Sequence, residues 1–278
     1  MRLTLKSFGC GLLASWLAVA PVSGQTPQTL LFSAPPRGAE ADERADFEPV
    51  AALLARATGL DIRYEYPREW LNYRNKMLDG KFDILFDGPH FVSWRMHKQS
   101  HQPLVRLPGQ LVFVAVVRQD ETAIQNADQL VGRRVCALAP PNLATLSVLS
   151  RFTGNIIRRP IVVEVVSFKD GYQGLTKTRK CDAAIMPMGA YKKMDEEAKL
   201  AKVVHTSEGY PNQAFSASPK LDETARAKIT QALTSPEAGE VIKRFLQNYS
   251  QGKPLVAAKP EDYAAARTLL RDSWGFNK

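Results

Sequence analysis

The chain has 278 residues, of which 45% are hydrophobic and 23% charged, a balance that excludes disordered, collagen-like and disulfide-scaffold classes. Its 37 Lys and Arg against 28 Asp and Glu give a formal charge of +9. That excess favours anionic partners without choosing among nucleic acid, membrane surface and small anions.

The N-terminus carries an address. Arg2 and Lys6 precede an uncharged stretch over 7–36, whose apolar heart is 11–20 (GLLASWLAVA) and which continues into Val22, Ser23 and Gly24. The pattern predicts a secretory signal peptide over 1–24, cleaved before Gln25, because the apolar part is too short to span a bilayer. Cys10 stands before that apolar core, not at its end, which argues against a lipid anchor. The match of 9–14 to a dinucleotide fingerprint lies inside a segment expected to be removed. Cys136 and Cys181 are then the two cysteines of an exported protein, which reads first as one disulfide.

Downstream, strands and helices alternate, the pattern of α/β layers around mainly parallel sheets. A short strand at 30–33 leads into a polar loop over 34–44. A helix over 47–58 carries Phe47, Val50, Leu53, Leu54 and Ala57 at helical spacing and stops at Gly59. A strand at 60–66, a helix at 70–78 and a buried strand at 82–86 follow. Asp87-Gly88-Pro89 turns the chain, with Pro89 placed to open a helix. The run LVFVAVV at 111–117 reads as a long strand. Beyond it come a helical turn at 128–131, a strand at 134–138 and a helix at 143–152. A strand at 161–166, a helix at 171–179 and a strand at 182–186 continue the alternation. After a helix at 194–200, strands are expected at 202–205 and 214–217. The tail reads as three helices, 222–234, 238–249 and 260–270. Two α/β clusters joined by extended segments near 115 and 213 make a cleft, and ligands of such sheets sit where strand ends feed helix starts.

That rule selects the loops after strands. The first lobe offers 33–37, Trp70 with Tyr73, and Asp87-Gly88-Pro89-His90. The second offers 140–145, Lys169-Asp170, and 186–191. Taken singly, Asp87-Gly88-Pro89 is an ordinary turn and Asn142 an ordinary helix cap; it is their convergence that marks a site. Catalytic patterns are absent: there is no Gly-x-Ser-x-Gly, His-Glu-x-x-His or phosphate-loop sequence, so no enzyme activity and no cofactor are expected. His90, His97 and His101 would share one face of a continuous helix, but Pro103 and the polar run before it end that helix early, so no metal is assigned. Cys136 and Cys181 fall on or beside neighbouring strands, which makes a bridge feasible. A soft-ion site built from two thiols and a nucleophilic cysteine stay open as alternatives. Basic residues are dispersed at turns and helix ends without interleaved aromatics, so no nucleic acid is expected.

From about 29 to 270 the chain resembles periplasmic solute-binding proteins of the phosphate/phosphite/phosphonate-binding family, which serve ABC transporters. The resemblance rests on Phe47-Glu48-Pro49-Val50, on Lys81-Phe82-Asp83-Ile84-Leu85-Phe86-Asp87-Gly88-Pro89, and on Leu130-Val131-Gly132-Arg133-Arg134-Val135 approaching Pro140-Pro141-Asn142. Lys180-Cys181-Asp182-Ala183-Ala184-Ile185 and Lys259-Pro260-Glu261-Asp262-Tyr263 extend it. It implies an α/β, two-lobed type II periplasmic-binding-protein fold with a two-strand hinge, a Venus-flytrap closure and a helical C-terminal tail packed on the first lobe. The first lobe would be 25–114 with 213–278, and the second 115–212. It also implies a monomer that captures a small, phosphonate- or phosphate-like solute and passes it to a membrane permease; the alternative partner is a membrane sensor kinase.

Mapped onto this chain, the family site implies Trp70, Tyr73, Asp87, His90, Asn142, Thr145, Lys169 and Tyr191 as ligand contacts. Three departures stand out. Leu143-Ala144-Thr145 keeps one hydroxyl where phosphonate binders carry Ser-Thr-Ser, Asp87 replaces one of a pair of aromatics, and Lys169-Asp170 replaces His-Glu. Asp87 is expected to repel a dianion, and Asp87→Ala and Lys169→Ala to change ligand affinity without disturbing the fold.

Overall fold

A computed structural model describes residues 29–152, 156–273 and 275–276. The expected signal peptide, with Cys10, lies outside the described residues. In chain order the first elements are β1 (Leu30–Ser33), α1 (Glu40–Thr58), β2 (Ile62–Tyr64), α2 (Trp70–Leu78), β3 (Ile84–Asp87), α3 (Pro89–Lys98) and β4 (Gln102–Arg106). Next come β5 (Gln110–Leu111), β6 (Phe113–Arg118), β7 (Arg134–Ala137), α4 (Leu143–Leu149), β8 (Ile161–Glu164), α5 (Phe168–Thr176), β9 (Ala183–Pro187), α6 (Met188–Asp195) and β10 (Ala201–Thr206). The chain then returns through β11 (Tyr210–Pro211), β12 (Ala214–Ala217), α7 (Glu223–Thr234), α8 (Pro236–Val241), α9 (Lys243–Ser250) and β13 (Val256–Ala257), and ends in 3-10 turns over Pro260–Thr268.

Among the described residues these strands form two large sheets. One runs β13-β4-β12-β3-β1-β2 and the other β10-β6-β9-β7-β8. Each has a parallel heart: β1 lies between β2 and β3 in one, and β7 between β8 and β9 in the other. Antiparallel strands complete each sheet, because the chain re-enters the first through β12 after leaving the second through β10. Sheets are therefore mixed rather than mainly parallel. Between them, β5 pairs antiparallel with β11, Leu111 opposite Tyr210, so the outgoing and returning segments cross side by side.

The core of the first sheet is aromatic. Phe47 of α1 lies 5.8 Å from Phe32, 5.9 Å from Phe86 and 5.7 Å from Phe245, ring centre to ring centre. In the second sheet Cys136 and Cys181 are fully buried and disulfide-bonded, with Cα atoms 5.7 Å apart, within the span a bridge can close. The thiol-based alternatives are thus superseded, since each sulfur has the other as its covalent partner.

Several elements differ from their sequence expectation for identifiable reasons. Helix α1 begins at Glu40, two turns before the expected start. Glu40, Asp42 and Glu43 occupy its first turn, where acids complement the helix dipole, and the Glu43 carboxylate accepts the Arg37 backbone N–H at 2.8 Å. Strand β4 is not anticipated because it contains Pro103, a residue that cannot donate to a ladder. A register shift in its pairing with β12, where Phe215 faces Val105 but Ser216 faces Pro103, accommodates the proline. The expected helix over 238–249 is two, α8 and α9, separated at Ile242 by a non-helical ψ of 29°. The helix expected at 194–200 instead ends at Asp195, having started at Met188.

Candidate functional site

The C-terminal ends of β1 and β3 face those of β7 and β9 across a cavity of about 490 Å³. From the first lobe come Pro35, Arg37, Trp70, Gly88, His90 and Phe91, with Gln213 from the returning segment. The second lobe contributes the loop from Ala139 to Ala144, then Phe168 and Pro187, and Leu111 and Phe113 close the side next to the crossing strands. A smaller hollow of about 280 Å³ lies on the other side of Trp70, Pro140 and Pro141, walled by the C-terminal segment through Leu269, Asp272 and Phe276. The larger cavity is the candidate site because both sheets point their strand ends into it.

His90 is the most distinctive polar group there. Its ring folds back over Gly88 and stacks against Phe91, with ring centres 3.9 Å apart. A Cβ on residue 88 would fall 2.6 Å from the imidazole Cε1, so only glycine lets the ring lie there. His90 is 5% exposed, and neither ring nitrogen has a partner at hydrogen-bonding geometry, although the Pro141 backbone approaches it. Burial pushes its pKa down to about 4, reinforced by Arg95 and opposed by Asp87 and the Pro141 backbone. The ring is neutral at pH 7 and offers one donor and one acceptor.

Asn142 caps α4, its side-chain oxygen accepting the Ala144 N–H at 3.0 Å. Arg37, in the loop after β1, donates through Nη2 to the Gln213 side-chain oxygen at 2.7 Å. Its guanidinium also lies 5.5 Å from the centre of the Phe86 ring and 5.3 Å from that of Tyr249, an arrangement that orients a cation without neutralising it. Among the lining residues Arg37 is the ionised side chain, and none is a carboxylate.

Of the eight expected contacts, Trp70, His90 and Asn142 line the cavity. The other five do not. Asp87 is fully buried behind it, where both its oxygens accept from Arg95 at 2.7 Å and one also accepts from the Tyr73 hydroxyl. Arg95 in turn donates to Ser216 Oγ at 2.9 Å. Asp87 is thus half of an interior ion pair and cannot repel an anion in the cleft as expected, and Tyr73 faces the same interior. Thr145 is fully buried and donates to the Leu138 carbonyl at 2.6 Å, closing its own loop, so the one remaining hydroxyl is turned away from the site. Lys169 is exposed and outside the cavity, which its neighbour Phe168 lines instead. Tyr191 lies on α6, donates to the Ala201 carbonyl at 3.0 Å and borders a separate hollow with Asp195.

Sequence reasoning pointed at the loop 33–37 but singled out neither Arg37 nor Gln213. An arginine in the loop after the first strand was the available signal for one. Gln213 had none, because it reaches the cleft only through the returning segment. As for the three histidines, α3 ends at Lys98 and His101 is buried beyond it. No metal-ligating cluster of three or more His, Cys, Asp or Glu occurs among the described residues.

The family model described as "ABC transporter, phosphonate, periplasmic substrate-binding protein" matches residues 32–263. The chain belongs to this family. Its members are the periplasmic binding proteins of phosphonate transporters, not enzymes. Among solved structures the chain is similar to XAC2383 from Xanthomonas citri bound to ATP, with a TM-score of 0.68 and 11% identity over 88% of this chain and 99% of that one. It is also similar to PhnD1 from Prochlorococcus marinus in complex with methylphosphonate, with a TM-score of 0.61 and 12% identity over 88% and 98% of the two chains. At these identities the likeness shows the fold, a type II periplasmic-binding-protein fold. In sequence the chain is 24% identical over 122 residues to the phosphate-import protein PhnD of Mycolicibacterium smegmatis, a match spanning 41% of this chain and 38% of that relative.

Proposed function

We propose that this phosphonate-family protein captures a small phosphonate- or phosphate-like anion between its two lobes in the periplasm and hands it to the membrane permease of an ABC transporter. In this reading residues 1–24 are the cleaved export signal. The lobes are 25–114 with 213–278, and 115–212, and β5 and β11 form the hinge. The protein works as a monomer. The observation that carries the proposal is the cavity between the strand ends of the two sheets, where Arg37 supplies the only ionised lining side chain. A ligand touching both Arg37 and the Asn142 loop stabilises the closed state by its differential affinity for it.

Thermal-shift titration of the purified protein against phosphate, methylphosphonate, sulfate and cationic amines tests this. A ligand at about 1,000 times its dissociation constant adds about 4 kcal/mol of stability. Arg37→Ala is expected to weaken the response roughly tenfold or more, since a hydrogen bond to a charged group is worth about 1.5–3 kcal/mol. Stabilisation by amines alone refutes anion capture.

A further inference from the structure

The walls of the cavity are more specific than its charge. The side chains facing it are largely hydrocarbon, with Trp70, Phe91, Phe113, Leu143 and Phe168 the largest. Polar side chains are limited to Arg37, His90, Asn142 and Gln213, and three of these are partly committed. Arg37 Nη2 is held by Gln213, and the Asn142 oxygen by its helix cap. No hydroxyl side chain lines the cavity. A bare oxyanion, which needs several donors around a compact sphere of charge, therefore finds few side-chain donors here. The volume points the same way. At about 490 Å³ it falls in the roughly 300–1,000 Å³ range of sites for drug-sized ligands, with room for a hydrocarbon group beyond the anionic head. His90, 5% exposed and with both ring nitrogens buried, brings no second charge to the wall.

We infer that the ligand is a phosphonate bearing an aryl ring or a comparably bulky hydrocarbon group, its anionic head drawn to Arg37 and its apolar body packed against Trp70, Phe91 and Phe168. This rests on the anion-capture reading above and narrows its substrate class. In a hydrophobic pocket a single methylene is worth about 10–200-fold in selectivity, so an entire ring in place of a methyl group produces a large preference.

Isothermal titration of the purified protein with inorganic phosphate, methylphosphonate, phenylphosphonate and benzylamine tests it. Phenylphosphonate is expected to bind at least tenfold more tightly than methylphosphonate, about 1.4 kcal/mol. Phe168→Ala, a change at a half-buried position, is expected to shrink that ratio several-fold, with circular dichroism verifying the fold. Trp70→Ala gives a second reading of the same ratio. Phosphate or methylphosphonate binding as tightly as phenylphosphonate overturns this inference while leaving anion capture standing. Binding of benzylamine without any phosphonate, or binding of none of the panel by folded protein, overturns both.

Discussion

The burial of His90 has a measurable consequence for acid stability. An unfolded histidine titrates near pH 6.5, whereas the folded ring, desolvated between Gly88, Phe91 and the Pro141 backbone, titrates at about 4. As pH falls, the unfolded chain therefore takes up this proton first. The contribution is intact above about pH 6.5 and is lost progressively as pH drops through the folded value. Across the whole titration that is on the order of 3 kcal/mol, at about 1.4 kcal/mol per pH unit, and roughly 2 kcal/mol of it falls between pH 7 and pH 5. Urea unfolding of the ligand-free protein at those two pH values, compared with His90→Gln, measures it. The variant has no imidazole to protonate, so its loss of stability on acidification is expected to be about 2 kcal/mol smaller than that of the parent. Equal losses would mean that the ring is solvated in the free protein and that the packing over Gly88 does not persist without ligand. His101 is depressed to about 2, chiefly by burial and then by Arg95 and Arg226. It adds a loss of the same sign, which is why the comparison is made against the single His90 variant.

Three further outcomes are expected. Asp87→Ala strands the Arg95 guanidinium in the interior and is expected to destabilise the protein by about 3–5 kcal/mol in denaturant unfolding, reversing the expectation that this change spares the fold. Asp87→Leu combined with Arg95→Met is expected to recover most of that loss, and a failure to recover would show that the pair is needed for packing and not merely balanced. Reducing the Cys136–Cys181 bond, which closes a loop across a sequence separation of 45, is expected to cost about 4 kcal/mol by loop-closure entropy, read as a lower urea midpoint with reductant present. Lys169→Ala, at an exposed position outside the cavity, is expected to leave ligand affinity within twofold of the parent by titration calorimetry; a tenfold loss would place the ligand closer to the start of α5.

Much of the architecture was written locally. Period-two and period-3.6 apolar patterns locate β1, the later part of α1, β3, β6, β7 and β9, since each must bury one face or both. Pro89 at a helix start and Gly59 past a helix end act through their own backbone preferences, and are legible for the same reason. Strand β4 was hidden because Pro103 argues against a strand, and only a bulge in β4 against its partner β12, more than a hundred residues away, makes room for it. The cysteine pair was legible because strand alternation puts Cys136 on one strand and Cys181 just before its neighbour in the same sheet.

The site divides along the same line. Sequence determined which loops converge, because strand ends and helix starts are local features, and His90 and Asn142 followed from them. Which way each side chain turns was decided by tertiary structure. Asp87 pairs inward because Arg95, one helix turn pair further on, has no solvent and must find a carboxylate. Thr145 satisfies the Leu138 carbonyl, and Gln213 arrives from a segment that leaves one lobe and re-enters the other. A carboxylate, a hydroxyl and a cation read alike in sequence whether they face ligand or core; the partner that desolvation forces on each, often distant along the chain, decides which.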